Sequence, residues 1–172
     1  MPTDREYPAR PIVGVGAVIL VSPVEASAMG WAERFDGEGI VLVKRRFEPL
    51  AGQWSLPGGT LEVGETLTAG IAREVVEETG LTVDVGALIE VVDRIFFDDA
   101  GRDQQPRVKY HFVLIDYVCR PTAGQLRAGS DVGDVTIAAP DDLPRFALTP
   151  QTVDVIEKAL ASRKGTDGHA IA

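Results

Sequence analysis

The segment Gly59-Thr-Leu-Glu-Val-Gly-Glu65-Thr-Leu-Thr-Ala-Gly70-Ile-Ala-Arg73-Glu74-Val-Val-Glu77-Glu78-Thr-Gly80-Leu81 is the most informative stretch of the chain. Leu67, Ile71 and Val75 recur at four-residue spacing, with Ala72 and Val76 beside them, so Thr66–Thr79 is predicted to be a helix with one apolar stripe. Gly80 follows the last periodic residue, where a left-handed glycine ends a helix most easily. Gly70 inside the helix costs roughly 1 kcal/mol relative to Ala and points to close packing there. The acidic residues occupy another flank. Glu74 and Glu78 are four residues apart, roughly 40° around the axis, and Glu77 lies about 60° to the other side of Glu74. Like charges at this spacing destabilise a helix by a few tenths of a kcal/mol, and the macrodipole disfavours anions near its C-terminus. A helix that accepts both costs gathers oxygen donors of the kind that Mg²⁺ and Mn²⁺ prefer. Taken alone, the same residues also fit a solvated acidic face balanced by Arg73 and by Lys44-Arg45-Arg46.

Upstream, Pro57-Gly58-Gly59 forms a loop in which a backbone carbonyl can serve as a further hard ligand. Glu65 stands at the helix start, where a carboxylate helps the N-terminus and can also reach Arg73. Glu48–Gly59 is expected to be irregular, with Trp54 and Leu56 pointing inward. Ile12–Val21 reads as a buried strand with close-packed glycines, and Ile40–Arg46 as a second strand pairing with it. Between them, Ser22–Gly39 reads as a loop pinned by Trp31 and Phe35. Downstream, Leu81–Val85, Leu88–Phe97, Val108–Arg120 and Val135–Ala138 read as strands, the third covered on both faces. Asp98-Asp99-Ala100-Gly101 and Asp141–Pro144 are turns, and Pro121–Gly129 is a loop. Thr149-Pro150 caps a second helix running to about Ser162. Met1–Pro11 is a polar arm, and residues 164–172 are expected to fray. The order of elements predicts an α+β or mixed α/β sandwich, not a doubly wound sheet.

The chain has 172 residues and a mass of 18.4 kDa, which suits one domain over residues 1–172 with a core from about 12 to 163. Its net charge of −9 and lack of a basic block disfavour nucleic acid and anionic membranes as partners. An anionic substrate would need a metal or a few local Arg and Lys side chains. Cys119, the only cysteine, excludes an intramolecular disulfide and a cysteine-cluster zinc site. It lies in the apolar run His111–Cys119 without a neighbouring base, as a core thiol would. A signal peptide ending near Ala26-Ser27-Ala28 is an alternative use of Ile12–Val21. The leader's Asp4, Arg5, Glu6 and Arg10 cancel in charge and argue against it, favouring a cytoplasmic protein. No apolar stretch is long enough to span a bilayer.

The segment from Gly59 to Leu81 resembles the Nudix box, G-x5-E-x7-R-E-U-x-E-E-x-G-U with U aliphatic, at every fixed position: Gly59, Glu65, Arg73, Glu74, Val75, Glu77, Glu78, Gly80 and Leu81. Gln53-Trp54-Ser55-Leu56-Pro57-Gly58-Gly59 is similar to the family's W-x-L-P-G-G lead-in, and Val41–Arg46 to the strand before it. The resemblance implies a Nudix α/β/α sandwich with a mixed β-sheet over roughly residues 12–163. It also implies Mg²⁺- or Mn²⁺-dependent attack of water on a nucleoside diphosphate linked to another group. Carried onto this sequence, Glu74, Glu77 and Glu78 would be carboxylate ligands, the Gly58 carbonyl a backbone ligand, and Arg73 an orienting group held with Glu65. The general base would come from a late loop, where Asp134 aligns with an expected Glu but is one methylene shorter. Asp131 or a box glutamate are the alternatives.

For substrate binding, Gly59 and the adjacent Arg45 and Arg46 are candidates. Strand alternation would let only one of the two arginines reach the phosphates. Phe47 and Phe97 could stack on a base but are expected in the core; His111 is expected to be structural, and His169 idle in the tail. The segments 90–102 and 110–117 resemble the ADP-ribose pyrophosphatase branch of small bacterial members, which implies ADP-ribose or a related nucleotide sugar. Hydrolysis of nucleoside triphosphates and nucleotide binding without cleavage are the alternatives, and a homodimer is compatible with each.

Overall fold

A computed structural model of the chain describes residues 5–31, 37–99 and 105–166. Strand β1 (Ile12–Val21) is the axis of the fold, buried from Gly14 to Val21. An uncharged apolar strand can be covered on both faces. Val15, Ala17, Ile19 and Val21 face one core, and Val18 and Leu20 face the other. Helix α2 (Leu67–Thr79) closes the first core with Ile71 and Val75. Helix α3 (Pro150–Thr166) closes the second with Val155, Ile156 and Ala159. The result is the expected α/β/α sandwich.

The sheet is mixed. Its main path runs β3 (Trp54–Ser55), β2 (Gly39–Arg45), β1, β6 (Val108–Gly124) and β5 (Leu81–Phe97). Strand β4 (Gly58–Thr60) pairs with β1, and β7 (Val132–Ala138) with β2. Among the described strands only β1 and β6 run parallel. Strands β1 and β2 meet solely at Leu20↔Ile40 and Val21↔Gly39. Towards its start, β1 pairs Gly14–Gly16 with β4 instead. The two halves of the sheet therefore share one end of β1 and part at the other, and a cleft opens where they part.

Helix α2 follows its sequence signals. The Thr66 hydroxyl accepts the Ala69 N–H at 3.2 Å, and Gly80 takes φ 71° to end the helix. Gly70 is tightly packed as expected: a Cβ there would lie 2.8 Å from Leu61 Cδ1. Val76, placed beside the apolar stripe, is instead 47% exposed.

Other differences have local causes. Residues 22–39 are not simply a loop, because helix α1 (Pro23–Ala28) forms within them. The Ser22 hydroxyl accepts the Glu25 N–H at 3.3 Å while the Glu25 carboxylate accepts the Ser22 N–H at 2.6 Å, a capping box with Pro23 leading the helix. Trp31 is buried in the first core as expected, whereas Phe35 lies outside the described residues. The strands expected at 81–85 and 88–97 merge into β5, with irregular pairing on either side of Leu88 absorbing the break. Strand β6 runs past Arg120 to Gly124 by pairing Pro121 with Val83. Strand β7 begins at Val132, because its pairing with β2 extends to Arg45.

The turn at Asp98 and Asp99 is closed by the Arg107 N–H on Asp98 Oδ1 at 2.7 Å; Ala100 and Gly101 lie outside the described residues. Pro140–Phe146 forms a 3₁₀ turn at the expected place. Helix α3 reaches Thr166, and residues 167–172, with His169, lie outside the described residues. The arm before β1 is strapped to β6. Tyr7 N–H donates to the Lys109 carbonyl at 2.8 Å, and the Tyr110 hydroxyl donates to Glu6 at 2.6 Å. No helix among the described residues is long and apolar enough to cross a membrane.

Candidate active site

The centre of the site is the acidic flank of α2, organised by Arg73. Its guanidinium uses all five N–H donors. Nε donates to Glu65 Oε1 at 2.7 Å, and Nη2 to Glu65 Oε2 at 3.0 Å and the Thr60 carbonyl at 3.1 Å. Nη1 donates to Glu74 at 2.9 Å and Glu77 at 3.1 Å. With no donor left over, Arg73 holds carboxylates and has none to give an incoming phosphate. Glu65 also accepts the Glu62 N–H at 3.0 Å. The Arg73 hydrogen bond and this amide hold its carboxyl down at about 2.

Glu78 is held differently. Its Oε2 accepts the Gly58 N–H at 2.8 Å, tying α2 to β4. Burial pushes its carboxyl up to about 7; the Gly58 amide works against this, and the charge on Glu74 adds to it. Glu74 is raised by burial in turn, with Arg73 opposing. Such mutual repulsion is what a shared cation relieves.

Among the described residues no three metal-ligating side chains are already grouped as a finished cage. The hydrogen bonds explain this: Arg73 bridges Glu74 and Glu77, while Glu78 is turned to the Gly58 amide. The donor chemistry still fits a hard divalent ion, since every available donor is oxygen. Gly59 has a steric part in this arrangement. A Cβ there would fall within 2.5 Å of Glu74 Oε2, so only a bare backbone lets that carboxylate lie against β4. Gly59→Ala is therefore expected to displace Glu74 and lower kcat by about 10- to 100-fold. A Mg²⁺ titration of activity should show a weakened half-saturation point; an unchanged curve would refute this role.

The carboxylates open onto a cleft of about 820 Å³. Arg45, Arg46, Gly58, Gly59, Arg73, Glu74, Glu77, Glu78 and Asp131 all line it. Both arginines reach the cleft, contrary to the alternation argument, because β2 ends at Arg45 and Arg46 lies beyond the pleat. Arg45 Nε donates to the Pro49 carbonyl at 2.8 Å, and Arg46 to the Ser130 carbonyl.

Asp134 is not on the cleft wall. It pairs with Lys44 across β7 and β2, whereas Val43 and Arg45 face the cleft, so the pleat turns Asp134 away. It is exposed and accepts the Val135 N–H at 2.8 Å. Phe47 and Phe97 are not core residues, being 62% and 60% exposed, and only Phe47 lines the cleft. His111 lies on β6 opposite Ile95, outside the cleft. Cys119 is fully buried, and burial pushes its thiol up to about 12, as suits a core residue.

Several cleft residues are not among the individual candidates named above, although Arg94, Phe96, Phe112 and Asp116 lie in the segments 90–102 and 110–117. Arg5 arrives on the strapped arm, Arg94 and Phe96 on β5, Phe112 and Asp116 on β6, and Thr149, Gln151 and Thr152 at the start of α3. One signal was available. Asp116 interrupts the otherwise apolar run Phe112–Cys119, and an acid in a buried strand needs a reason.

The fold and the acidic cleft define a class, the sandwich folds that carry a carboxylate-rich helix beside a glycine loop. The model of the NUDIX domain matches residues 25–159, and the chain belongs to the Nudix family. It is 32% identical over 114 residues to an ADP-ribose pyrophosphatase of Methanocaldococcus jannaschii, covering 66% of this chain and 62% of the relative. It is 50% identical over 62 residues to a putative 8-oxo-dGTP diphosphatase of Mycobacterium tuberculosis, covering 35% of this chain and 42% of the relative. The chain thus spans less than two thirds of the length of these curated relatives. A MutT NUDIX hydrolase structure from Burkholderia pseudomallei superposes with a TM-score of 0.63 at 30% identity, covering 87% of this chain and 98% of the other.

Proposed function

We propose that this protein is a divalent-metal-dependent pyrophosphohydrolase that cleaves ADP-ribose, or a related nucleotide sugar, between its two phosphates. The observation that carries this reading is the convergence of Glu74, Glu77 and Glu78 on one cleft wall, oriented by an Arg73 whose donors are all engaged. Similarity to the Methanocaldococcus ADP-ribose pyrophosphatase supports the substrate class.

In this reading Glu74, Glu77, Glu78 and the Gly58 carbonyl hold Mg²⁺ or Mn²⁺. Such an ion supplies charge neutralisation at the diphosphate and lowers the pKa of bound water. Arg45 and Arg46 add positive charge on the same wall, so an anionic substrate can enter an acidic protein. Arg73 and Glu65 keep the carboxylates oriented. Asp131, unlike Asp134, stands on the cleft wall, and it takes the proton of the attacking water. Positioning and electrostatics do most of the catalysis.

The test is product analysis after incubation with Mg²⁺. ADP-ribose should yield AMP and ribose 5-phosphate, with turnover abolished by EDTA. Similarity to the putative 8-oxo-dGTP diphosphatase supports a second reading, release of pyrophosphate from a nucleoside triphosphate. A clear preference for triphosphates over ADP-ribose would replace the first reading with the second. Tight binding without turnover would remove both.

A further inference from the structure

Beyond the carboxylates, the cleft floor holds a charged pair that the reaction chemistry leaves unused. Asp116 is 6% exposed in the middle of β6, and Arg94, whose strand partner Phe112 lies four residues before Asp116, lines the same cleft from β5. Arg94 Nη2 donates to the Thr152 hydroxyl at 2.9 Å, not to Asp116, and Arg94 Nε is buried with no partner among the described residues. Burial lifts Asp116 to about 6 against the pull of the Arg94 charge. Burying a carboxylate and a guanidinium with a donor unmet is costly. Both side chains also line the cleft, so a polar ligand there can meet the Asp116 carboxylate and the outer face of the Arg94 guanidinium.

We propose that Asp116 and Arg94 read the vicinal hydroxyls of the sugar attached to the diphosphate, making them specificity-determining residues for a substrate that carries a ribose-like diol. Two observations point to a sugar and not to a base. The first is chemical. Hydroxyls both donate and accept, so a diol can bridge a carboxylate acceptor and a guanidinium donor on the same cleft wall, the guanidinium being held by the Thr152 hydroxyl. The second is positional. Gly58 pairs with Gly16 on β1, and Gly16 pairs with Asp116 on β6. Asp116 therefore stands two strand spacings from Gly58, roughly 10 Å from backbone to backbone. Its carboxylate leans back over Gly16, in the space a Cβ there would need. A diphosphate held at the Glu78–Gly58 contact would bring its attached sugar within reach of Asp116. Only the position of the diphosphate is taken from the proposed function.

The test measures binding, which needs no turnover. Ribose 5-phosphate and 2-deoxyribose 5-phosphate are titrated calorimetrically into the full chain with saturating Mg²⁺. The wild type should bind ribose 5-phosphate about tenfold or more tightly than the deoxy sugar, because the deoxy sugar leaves buried polar groups unpaired. Asp116→Ala and Asp116→Asn should bring the ratio close to one while leaving the affinity for inorganic phosphate within about twofold. If those variants do not fold, Arg94→Gln should lower the ratio in the same way. A wild-type ratio near one, no detectable binding of either sugar, or a ratio that survives in a folded Asp116 variant overturns the proposal. ADP-ribose turnover is scored separately. A protein that prefers the diol but does not cleave ADP-ribose defeats the proposed substrate and leaves this inference standing; cleavage without the preference does the reverse.

Discussion

Glu78→Gln is expected to lower kcat/KM by about 10³-fold, roughly 4 kcal/mol of transition-state stabilisation, without lowering the stability of the metal-free protein. The two effects separate because the substitution is nearly isosteric. The glutamine carbonyl can still accept the Gly58 N–H now taken by Glu78 at 2.8 Å, so the link between α2 and β4 survives. What disappears is the negative charge. Burial already disfavours that charge, as the rise of the Glu78 carboxyl to about 7 shows. In EDTA above pH 7 the variant should therefore melt at or above the wild-type temperature. Added Mg²⁺ should raise its melting temperature much less than it raises that of the wild type. Near-wild-type turnover by a folded Glu78→Gln protein would remove Glu78 from the chemistry. Loss of activity together with a large drop in metal-free stability would reduce it to a structural residue.

In the metal-free protein, stability should fall as pH rises from about 4.5 to 7, and Mg²⁺ should reverse that fall. Two buried carboxyls drive the effect: Glu78, raised from 4.5 to about 7, and Asp116, raised from 3.8 to about 6. The unfolded chain releases both protons near the ordinary carboxylate values, while the folded chain keeps them to higher pH. Folding thus binds protons within this window, and linkage makes stability fall with pH across it and level off above 7. The Glu78 contribution alone is on the order of 3 kcal/mol. Glu65, held down at about 2, acts in the opposite direction and at lower pH, losing its contribution as pH falls from 4.5 through 2. Ligand carboxylates must be ionised to bind a metal, so stabilisation by saturating Mg²⁺ should grow between pH 5.5 and 8. Thermal melts in EDTA and in Mg²⁺ across that range check both statements. A melting temperature in EDTA that does not change from pH 5 to 7, or a Mg²⁺ increment independent of pH, would contradict the assignment of these buried acids.

Helix α2 was legible because its determinants are local. The Leu67–Ile71–Val75 stripe, the Thr66 cap and the left-handed Gly80 all act within one or two turns. The convergence of Glu74, Glu77 and Glu78 follows from helical pitch alone. Helix α1 is equally local, but Ser22, Pro23 and Glu25 spell its capping box inside a stretch whose Pro, Ser, Gly and charged residues otherwise read as a loop. The remaining departures come from pairing between distant strands. Asp134 aligned with a loop acid, yet β7 begins early enough to pair it with Lys44 and turn it from the cleft. Arg46 escaped the alternation argument because the strand ends one residue before it.

From sequence alone came the sandwich class, the acidic helix flank, the glycine loop beside it and the metal chemistry these suit, because periodicity and short-range spacing encode them. Only the tertiary structure decided that Arg73 has no donor to spare, that Asp131 and not Asp134 faces the cleft, and that Asp116 and Arg94 form its floor. The last two facts depend on strand register between segments far apart in the chain, where a one-residue change of pairing reverses the side on which a residue stands.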